Sequence, residues 1–185
     1  MFIETERIGL RGVKEGDLKE IKNWSNKSEI TELMVMGIRP DSGVLYCSWD
    51  FIEDEWKKYK ESKKDIIFVI VLKAEKKIIG ICGLYDINFM ERFAELRIAI
   101  GYREYLNNGY GTEVVKALLE YGFKKLNLHK IHLGVNKDNL GANKCYKKSG
   151  FIYEGTIRDF HFRNGRYYNT NLYSILEGEY NAKKN

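Results

Sequence analysis

A strand pattern, a glycine loop and an amphipathic helix follow one another over residues 94–126, and this succession most constrains the fold. Apolar and polar residues alternate over Ala94–Ile100, as in a half-buried strand. Apolar residues recur at helical spacing over Val115–Leu126, so one helix face is buried. Gly109 and Gly111 lie at the junction, where the first helical N–H groups lack partners and favour an anion. The pattern alone suits either a phosphate site or a plain turn.

The other apolar patterns extend this unit into a continuous α/β series. Short alternating or β-branched runs predict further strands over 7–11, 66–72, 78–84 and 131–135, and two aromatic-rich strands joined by a tight turn at 163–166. Helical spacing predicts helices after a capping Asp17, over 28–34, over 48–62 and over 142–149, with a loop over 35–46. No repeat or long linker divides the chain, so we expect a single domain over residues 1–185.

Composition excludes several classes of protein. The chain is 44% hydrophobic and 31% charged, as in a globular domain, and no apolar run approaches the roughly 20 residues of a membrane span. The segment Met1–Glu6 has neither a basic start nor an apolar core, so no secretory signal is predicted. We therefore expect a cytoplasmic protein with no membrane partner.

Cysteine, histidine and basic residues give no metal or nucleic-acid signature. The three cysteines form no CxxC pair and the histidines no ligand cluster, so we predict neither a disulfide framework nor a bound metal. These residues are Cys47, Cys82, Cys145, His129, His132 and His161. The net charge of +5 is spread along the chain, and only Arg158–Tyr168 mixes basic and aromatic residues. No nucleic-acid partner is therefore expected.

Several motifs in one order carry a resemblance to a known family. They are Thr5–Arg11, Trp24–Asn26, Ala94–Gly101, Gly109–Glu113, Leu126–Ile131, Val135–Asn139, Ala142–Tyr146, Gly150–Phe151 and Glu154–Gly155. With this element order the chain resembles the GCN5-related N-acetyltransferases (GNAT). Within them it resembles the branch of ribosomal-protein N-terminal, spermidine and some aminosugar acetyltransferases. The resemblance implies an α/β fold, with a central mixed, mostly antiparallel sheet and helices on both faces.

The resemblance also implies an acetyl-CoA site, with CoA as the product. Backbone groups of Ile98, Ala99 and Ile100 would pair with the pantetheine arm, as an added strand does. Further cofactor contacts are implied for Leu106, Asn107, Asn108, Gly109, Tyr110, Gly111, Thr112, Asn139, Asn143 and Tyr146. Leu106 departs from the Arg or Gln usual in the family, and Asn107-Asn108 replaces a frequent Gly-Lys. Diphosphate binding would therefore depend more on backbone amides and the helix end.

Acetyl transfer to an amine needs a neutral amine and a proton for the departing thiolate. Tyr146 matches the family tyrosine near the thioester sulfur, and its ordinary pKa of about 10 keeps it protonated, so we predict that it is the general acid. Glu95 lies beside the splayed strand, where some members place a carboxylate base. The alternative is that Glu95 is a surface or ion-paired strand residue and that solvent takes the proton from the amine. Cys145 is expected to be a packing residue, because direct attack needs no covalent nucleophile.

The acceptor amine is the least constrained part of the function. The resemblance implies acceptor contacts at Trp24, Tyr85, Asp159 and His161. The stretch Asp159–Tyr167 resembles spermidine acetyltransferases, so a polyamine is one expectation. Those enzymes carry several acidic residues after the second helix, whereas this chain has Met34–Pro40 there. An aminosugar, an aminoglycoside and a peptide N-terminus therefore stay open as acceptors.

Two further expectations concern the class of protein and its oligomeric state. A non-catalytic module that binds acyl-CoA or a protein is the main competing class, and retention of Tyr146 with the glycines favours the enzyme. Related enzymes are often dimers or larger rings, so by analogy we expect a homo-oligomer.

Overall fold

The computed structural model describes residues 1–25, 49–163 and 165–182. The strands are Ile3–Glu4 (β1), Ile8–Gly12 (β2), Ile66–Leu72 (β3), Lys77–Asn88 (β4), Phe93–Ile100 (β5), Lys130–Asn136 (β6), Ile152–Arg163 (β7) and Arg166–Leu176 (β8). The α-helices are Leu18–Ser25 (α1), Trp49–Glu61 (α2), Tyr110–Lys124 (α3), Leu140–Ser149 (α4) and Glu177–Ala182 (α5). Short 3₁₀ turns precede α1 and α3, over Glu15–Asp17 and Arg103–Tyr105.

The eight strands form one mixed sheet in the order β1-β2-β3-β4-β5-β6-β8-β7. Six of the seven neighbouring pairs are antiparallel, and β5 and β6 form the parallel pair. The chain between β5 and β6 contains α3, because parallel neighbours need a crossover connection. The expected mixed, mostly antiparallel sheet is confirmed.

Helices cover both faces of the sheet, as expected. Alternation along β3 divides the core, because successive side chains point to opposite faces. Val69 and Val71 pack with Leu18, Ile21 and Trp24 of α1. The opposite face packs against the buried residues of α3 and α4, which include Val114, Val115, Leu118, Leu119, Phe123 and Tyr146.

The structure differs from the sequence predictions in a few elements. Strand β4 continues to Asn88, and the sequence patterns missed β1 and α5, which are two and six residues long. Asp17 does not cap α1 as predicted. Its carboxylate instead accepts a hydrogen bond from the Lys14 backbone N–H, 2.7 Å away, and pairs with Arg11. The predicted helix over 28–34 and loop over 35–46 lie outside the described residues.

The last two strands form the predicted tight hairpin. Arg163 pairs with Arg166, so two residues connect the strands, and Gly165 has a φ of +75°. Glycine suits this left-handed conformation because it has no Cβ. Within the described ranges, no helix is long and apolar enough to cross a membrane.

Candidate active site

The sheet opens between β5 and β6. These strands pair at three positions only, Phe93 with Lys130, Ala94 with Ile131, and Glu95 with His132. Beyond Glu95, β5 continues to Ile100 and stays paired with β4 on its other side. The edge of β5 that faces the opening includes Ile98, Ala99 and Ile100. We call this opening the fork.

The start of α3 lies next to the end of β5. Asn107 and Gly109 adopt positive φ angles of +61° and +82°, and these kinks lead the chain into the helix at Tyr110. The first helical hydrogen bond runs from Glu113 N–H to the Gly109 carbonyl, at 3.1 Å, and no side chain caps the helix. The N–H groups of Tyr110 to Thr112 therefore have no partner within the helix and are suited to an anion.

Arg7 reaches this loop from the N-terminal segment. Its Nη1 donates to the Asn108 carbonyl at 3.0 Å, and its guanidinium lies 4.5 Å from the centre of the Tyr110 ring. The same group pairs with Glu113 at 2.8 Å, and Thr5 donates a second hydrogen bond to that carboxylate. A cation thus lies beside the loop although Leu106 carries no donor. Sequence reasoning missed Arg7, because no local pattern relates residues about a hundred positions apart.

Helices α3 and α4 meet at the same place. The Thr112 hydroxyl donates to Cys145 Sγ at 3.4 Å, and a Cβ on Gly111 would lie 3.7 Å from that sulfur. A Cβ on Gly141 would lie 3.4 Å from the Asn107 side-chain oxygen. Burial raises the pKa of Cys145, so the thiol stays protonated and behaves as a packing residue.

Two asparagines hold α4 in place. The Asn139 side chain accepts from the Ala142 N–H at 3.0 Å and caps the helix. The buried Asn143 amide donates to the carbonyls of Asn136 and Asn139, and its oxygen accepts from the Tyr173 hydroxyl at 3.0 Å. These contacts position α4. The cofactor contacts expected of Asn139 and Asn143 stay predictions.

Tyr146 is held on α4 by aromatic packing. Its ring centre lies 5.8 Å from that of Phe151 and 6.4 Å from that of Tyr173, and the side chain is 6% exposed. Burial raises the pKa of Tyr146, and the negative charge of Glu95 adds to the effect. The hydroxyl therefore keeps its proton at neutral pH, which the predicted role of proton donor requires.

A row of side chains crosses four strands at the closed end of the fork. Tyr85 of β4 lies opposite Glu95, Glu95 opposite His132, and His132 opposite Ser174 of β8. Directly paired residues point to the same face, so these side chains are neighbours. Arg97, two positions along β5, donates to Glu95 Oε2 from Nη2 and Nε at 2.6 and 3.1 Å. Glu95 is thus ion-paired, which was the alternative left open for it.

The other predicted acceptor residues are spread out. Tyr85 is buried, with Arg97 4.6 Å from its ring centre. Trp24 is 2% exposed and packs in the core against Gly101. Strand β8 pairs with β6 only from Thr170 to Leu176. Asp159 and His161 lie on the other part of the β7–β8 hairpin, between Thr170 and the turn. The structure therefore joins Tyr85 to Glu95 but keeps Asp159 and His161 away from that row within one chain. Their acceptor contacts, like that of Trp24, stay predictions.

His132 is a residue of this site that sequence reasoning did not select. The alternation of Ile131, His132 and Leu133 indicates that His132 faces away from the core shared by its neighbours. The register that sets it opposite Glu95 is a tertiary feature. The sequence therefore supplied a signal for its face, but none for its partner.

Comparisons with known proteins agree with this geometry. Residues 7–152 match the family described as Acetyltransferase (GNAT) domain. The spermidine N(1)-acetyltransferase of Vibrio cholerae is 33% identical over 174 residues, which cover 94% of this chain and 95% of that protein. The Escherichia coli K12 spermidine N(1)-acetyltransferase is 35% identical over 176 residues, which cover 95% and 89% respectively.

A solved structure extends the likeness to three dimensions. The crystal structure of the Vibrio cholerae spermidine N-acetyltransferase in complex with CoA and spermine matches with a TM-score of 0.83 at 32% identity, covering 95% of this chain and 99% of that one. The chain therefore belongs to the GNAT acetyltransferase family, and it is an N-acetyltransferase. The resemblance inferred from the sequence motifs is confirmed.

Proposed function

We propose that this protein transfers the acetyl group of acetyl-CoA to a primary amine of a polyamine such as spermidine, by direct attack in a ternary complex. The observation that carries the proposal is the fork, an open backbone edge beside an uncapped helix start, which contacts the helix of the buried Tyr146 through Thr112 and Cys145. The similarity to two spermidine acetyltransferases supports the acceptor class.

The residues at the fork fit the cofactor. When bound, acetyl-CoA supplies an activated acetyl thioester. The free edge of β5 at Ile98, Ala99 and Ile100 offers N–H and C=O groups at the spacing of an extended amide chain. The amides of residues 107–112 offer donors to a diphosphate, and the adjacent Arg7 adds a positive charge.

The catalytic contribution of the chain is proton transfer. Tyr146 donates its hydroxyl proton to the departing thiolate sulfur, since burial keeps the hydroxyl protonated. The attacking amine must be neutral, and Glu95 lies at the closed end of the fork, where we propose that the amine binds. No covalent intermediate on the protein is needed for this transfer.

The ion pairing of Glu95 favours a second candidate acceptor. Arg97 places a cation beside Glu95 and reaches Asp86 Oδ2 at 3.2 Å, so part of the local negative charge is already neutralised. Such a site attracts a polycation less strongly than one whose carboxylates are unpaired. A peptide N-terminus or an aminosugar is therefore the alternative acceptor.

An amine panel separates these acceptors. Purified protein is incubated with acetyl-CoA and spermidine, glucosamine, an aminoglycoside or a short peptide with a free N-terminus, and free CoA thiol is measured. We expect the highest kcat/KM with spermidine. Preference for the peptide or the sugar would overturn the polyamine proposal, and CoA binding without thiol release from any amine would favour the non-catalytic module.

We also propose a cytoplasmic homo-oligomer. Cys82 and Cys145 are free thiols, as is usual for a reducing compartment. The β7–β8 hairpin carries six apolar side chains that are 37–61% exposed, namely Ile152, Tyr153, Ile157, Phe160, Phe162 and Tyr167. Grouped exposed apolar residues commonly mark an interface. Light scattering is expected to give a mass of at least twice the 21.7 kDa of the chain, and a monomer would contradict the proposal.

A further inference from the structure

We propose that His132 is the catalytic residue that takes the proton from the attacking amine, with Glu95 beside it as the group that stabilises the resulting imidazolium. The inference rests on the proposed function and identifies its proton acceptor. His132 occupies the last paired position of the fork, directly opposite Glu95.

The position of His132 allows contact with an acceptor. It lines a cavity of about 300 Å³ on the sheet, together with Phe93, Glu154 and Tyr173. The ring of Phe93 lies 6.0 Å from the imidazole, and Tyr173 is the residue whose ring lies 6.4 Å from that of Tyr146. Tyr173 is paired with Leu133, so its ring packs on Tyr146 at the opposite face of the sheet from the imidazole. An amine bound in the cavity can reach the imidazole and face the closed end of the fork.

The carboxylate of Glu95 is a poor candidate for the same task. One of its oxygens accepts both hydrogen bonds from Arg97, at 2.6 and 3.1 Å. A close cation stabilises a carboxylate in its charged form and makes it a weaker base. An imidazole with a carboxylate neighbour gains the opposite benefit, because Glu95 favours the protonated ring. The pair resembles the arrangement in which a carboxylate stabilises the imidazolium of a general base.

The charges around His132 set its protonation state. Burial lowers the pKa of His132; Glu95 and Glu154 oppose this effect, whereas Lys130 and Arg97 add to it. The imidazole is therefore neutral at pH 7 and able to accept a proton. It takes one proton from the ammonium group, which leaves a neutral amine with a free electron pair. The imidazolium then releases that proton to solvent from the cavity.

Kinetics of matched variants test this assignment. At pH 7 and saturating amine, His132→Gln is expected to lower kcat by about 10²–10⁴-fold, with CoA affinity by calorimetry unchanged. His129→Gln, which changes an exposed histidine just before β6, is the matched control and should retain full activity. Wild-type activity in His132→Gln would overturn the proposal. Absence of thiol release from the wild type with every amine would instead overturn the proposed function.

The pH profile distinguishes His132 from Glu95. In the wild type, kcat should rise with pH through the pKa of the imidazole, and this limb should be absent from His132→Gln. Glu95→Gln should keep the limb but move it to lower pH, because the imidazolium loses its stabilising charge. A limb that survives in His132→Gln and disappears in Glu95→Gln would assign the base to Glu95.

A measurement without substrates completes the test. The imidazole C–H resonances of the three histidines can be followed by NMR against pH and assigned with the two glutamine variants. His132 is expected to titrate below the ordinary histidine pKa, and Glu95→Gln should lower that pKa further. An imidazole that titrates identically in wild type and Glu95→Gln would show that the two groups do not interact, and would overturn the pairing.

Discussion

The proposed cofactor side and the proposed acceptor side of the fork are built in different ways. On the cofactor side, the groups suited to binding are backbone atoms of β5 and of the first turn of α3, both from residues 98–112. On the acceptor side, the groups are the side chains of Tyr85, Glu95 and His132, which three strands bring together. The first side tolerates changes of side chain, because every residue other than proline carries the same N–H and C=O groups. The second side depends on each side chain and on strand register.

The difference bears on the two departures from the family pattern noted in the sequence. Leu106 and Asn108 replace residues with stronger donors, yet the N–H groups and the helix end persist. Arg7, which is paired with Glu113, brings a cation to the loop from the N-terminal segment. Substitutions on the two sides should therefore have unequal consequences.

The largest effect on kcat is expected at Tyr146. Tyr146→Phe removes the proposed proton donor and should lower kcat by about 10²–10⁴-fold. The ring still packs on Phe151 and Tyr173, so CoA affinity measured by calorimetry should be almost unchanged. Tyr153→Phe, at an exposed tyrosine on β7, serves as the control. An unchanged kcat in Tyr146→Phe would remove the hydroxyl from the mechanism.

A backbone change on the cofactor side should act mainly on binding. Gly109→Ala places a Cβ at a left-handed position, 3.3 Å from Arg7 Nη2, and we expect CoA affinity to fall by about tenfold, or about 1.4 kcal/mol. Gly165→Ala introduces the same strain in the β7–β8 turn, where a Cβ meets nothing within 4 Å. Both variants should lose stability, but only Gly109→Ala should bind CoA more weakly. Equal affinities would contradict a backbone anion site at this helix.

The contacts that join the N-terminal segment to α3 should appear as pH-dependent stability. Burial opposes ionisation of Glu113, but hydrogen bonds from Thr5 and Arg7 outweigh it and lower the pKa of Glu113. A lowered folded-state pKa contributes stability above the unfolded-state pKa, and this contribution is lost as the pH falls through the folded-state value. Glu113→Gln should therefore cost about 1 kcal/mol in urea unfolding at pH 7, since Arg7 is partly exposed.

Glu113→Gln should approach wild-type stability at a pH below the folded-state pKa of Glu113. Glu91→Gln, at an exposed glutamate in the β4–β5 turn, should show no such difference at either pH. A pH-independent loss in Glu113→Gln would indicate a packing defect instead of a lost charge interaction.

The smallest effect on CoA affinity is expected at Leu106, which departs from the family pattern of Arg or Gln. Leu106→Ala removes a side chain without polar donors, so CoA affinity should change by less than about twofold, or 0.4 kcal/mol. Calorimetric titration with CoA measures this directly. A loss as large as that of Gly109→Ala would mean that side chains, and not the backbone, control the cofactor side.

The sequence by itself determined the elements that local periodicity encodes. The β-branched run of β3, the alternation in β5, the buried stripe of α3 and the hairpin at Gly165 all followed from composition, spacing and turn chemistry. The motif order was enough to identify the family, because each motif is a short contiguous segment and several occur in one order along the chain. Elements with too few residues to show a period, β1 and α5, were not predicted.

Only the tertiary structure decided which side chains face one another. Strand register set His132 opposite Glu95, and chain folding brought Arg7 to Asn108. The capping expected of Asp17 was replaced by its pairing with Arg11. These contacts join residues whose partners no local pattern specifies, because register and long-range packing arise from the burial of the whole sheet.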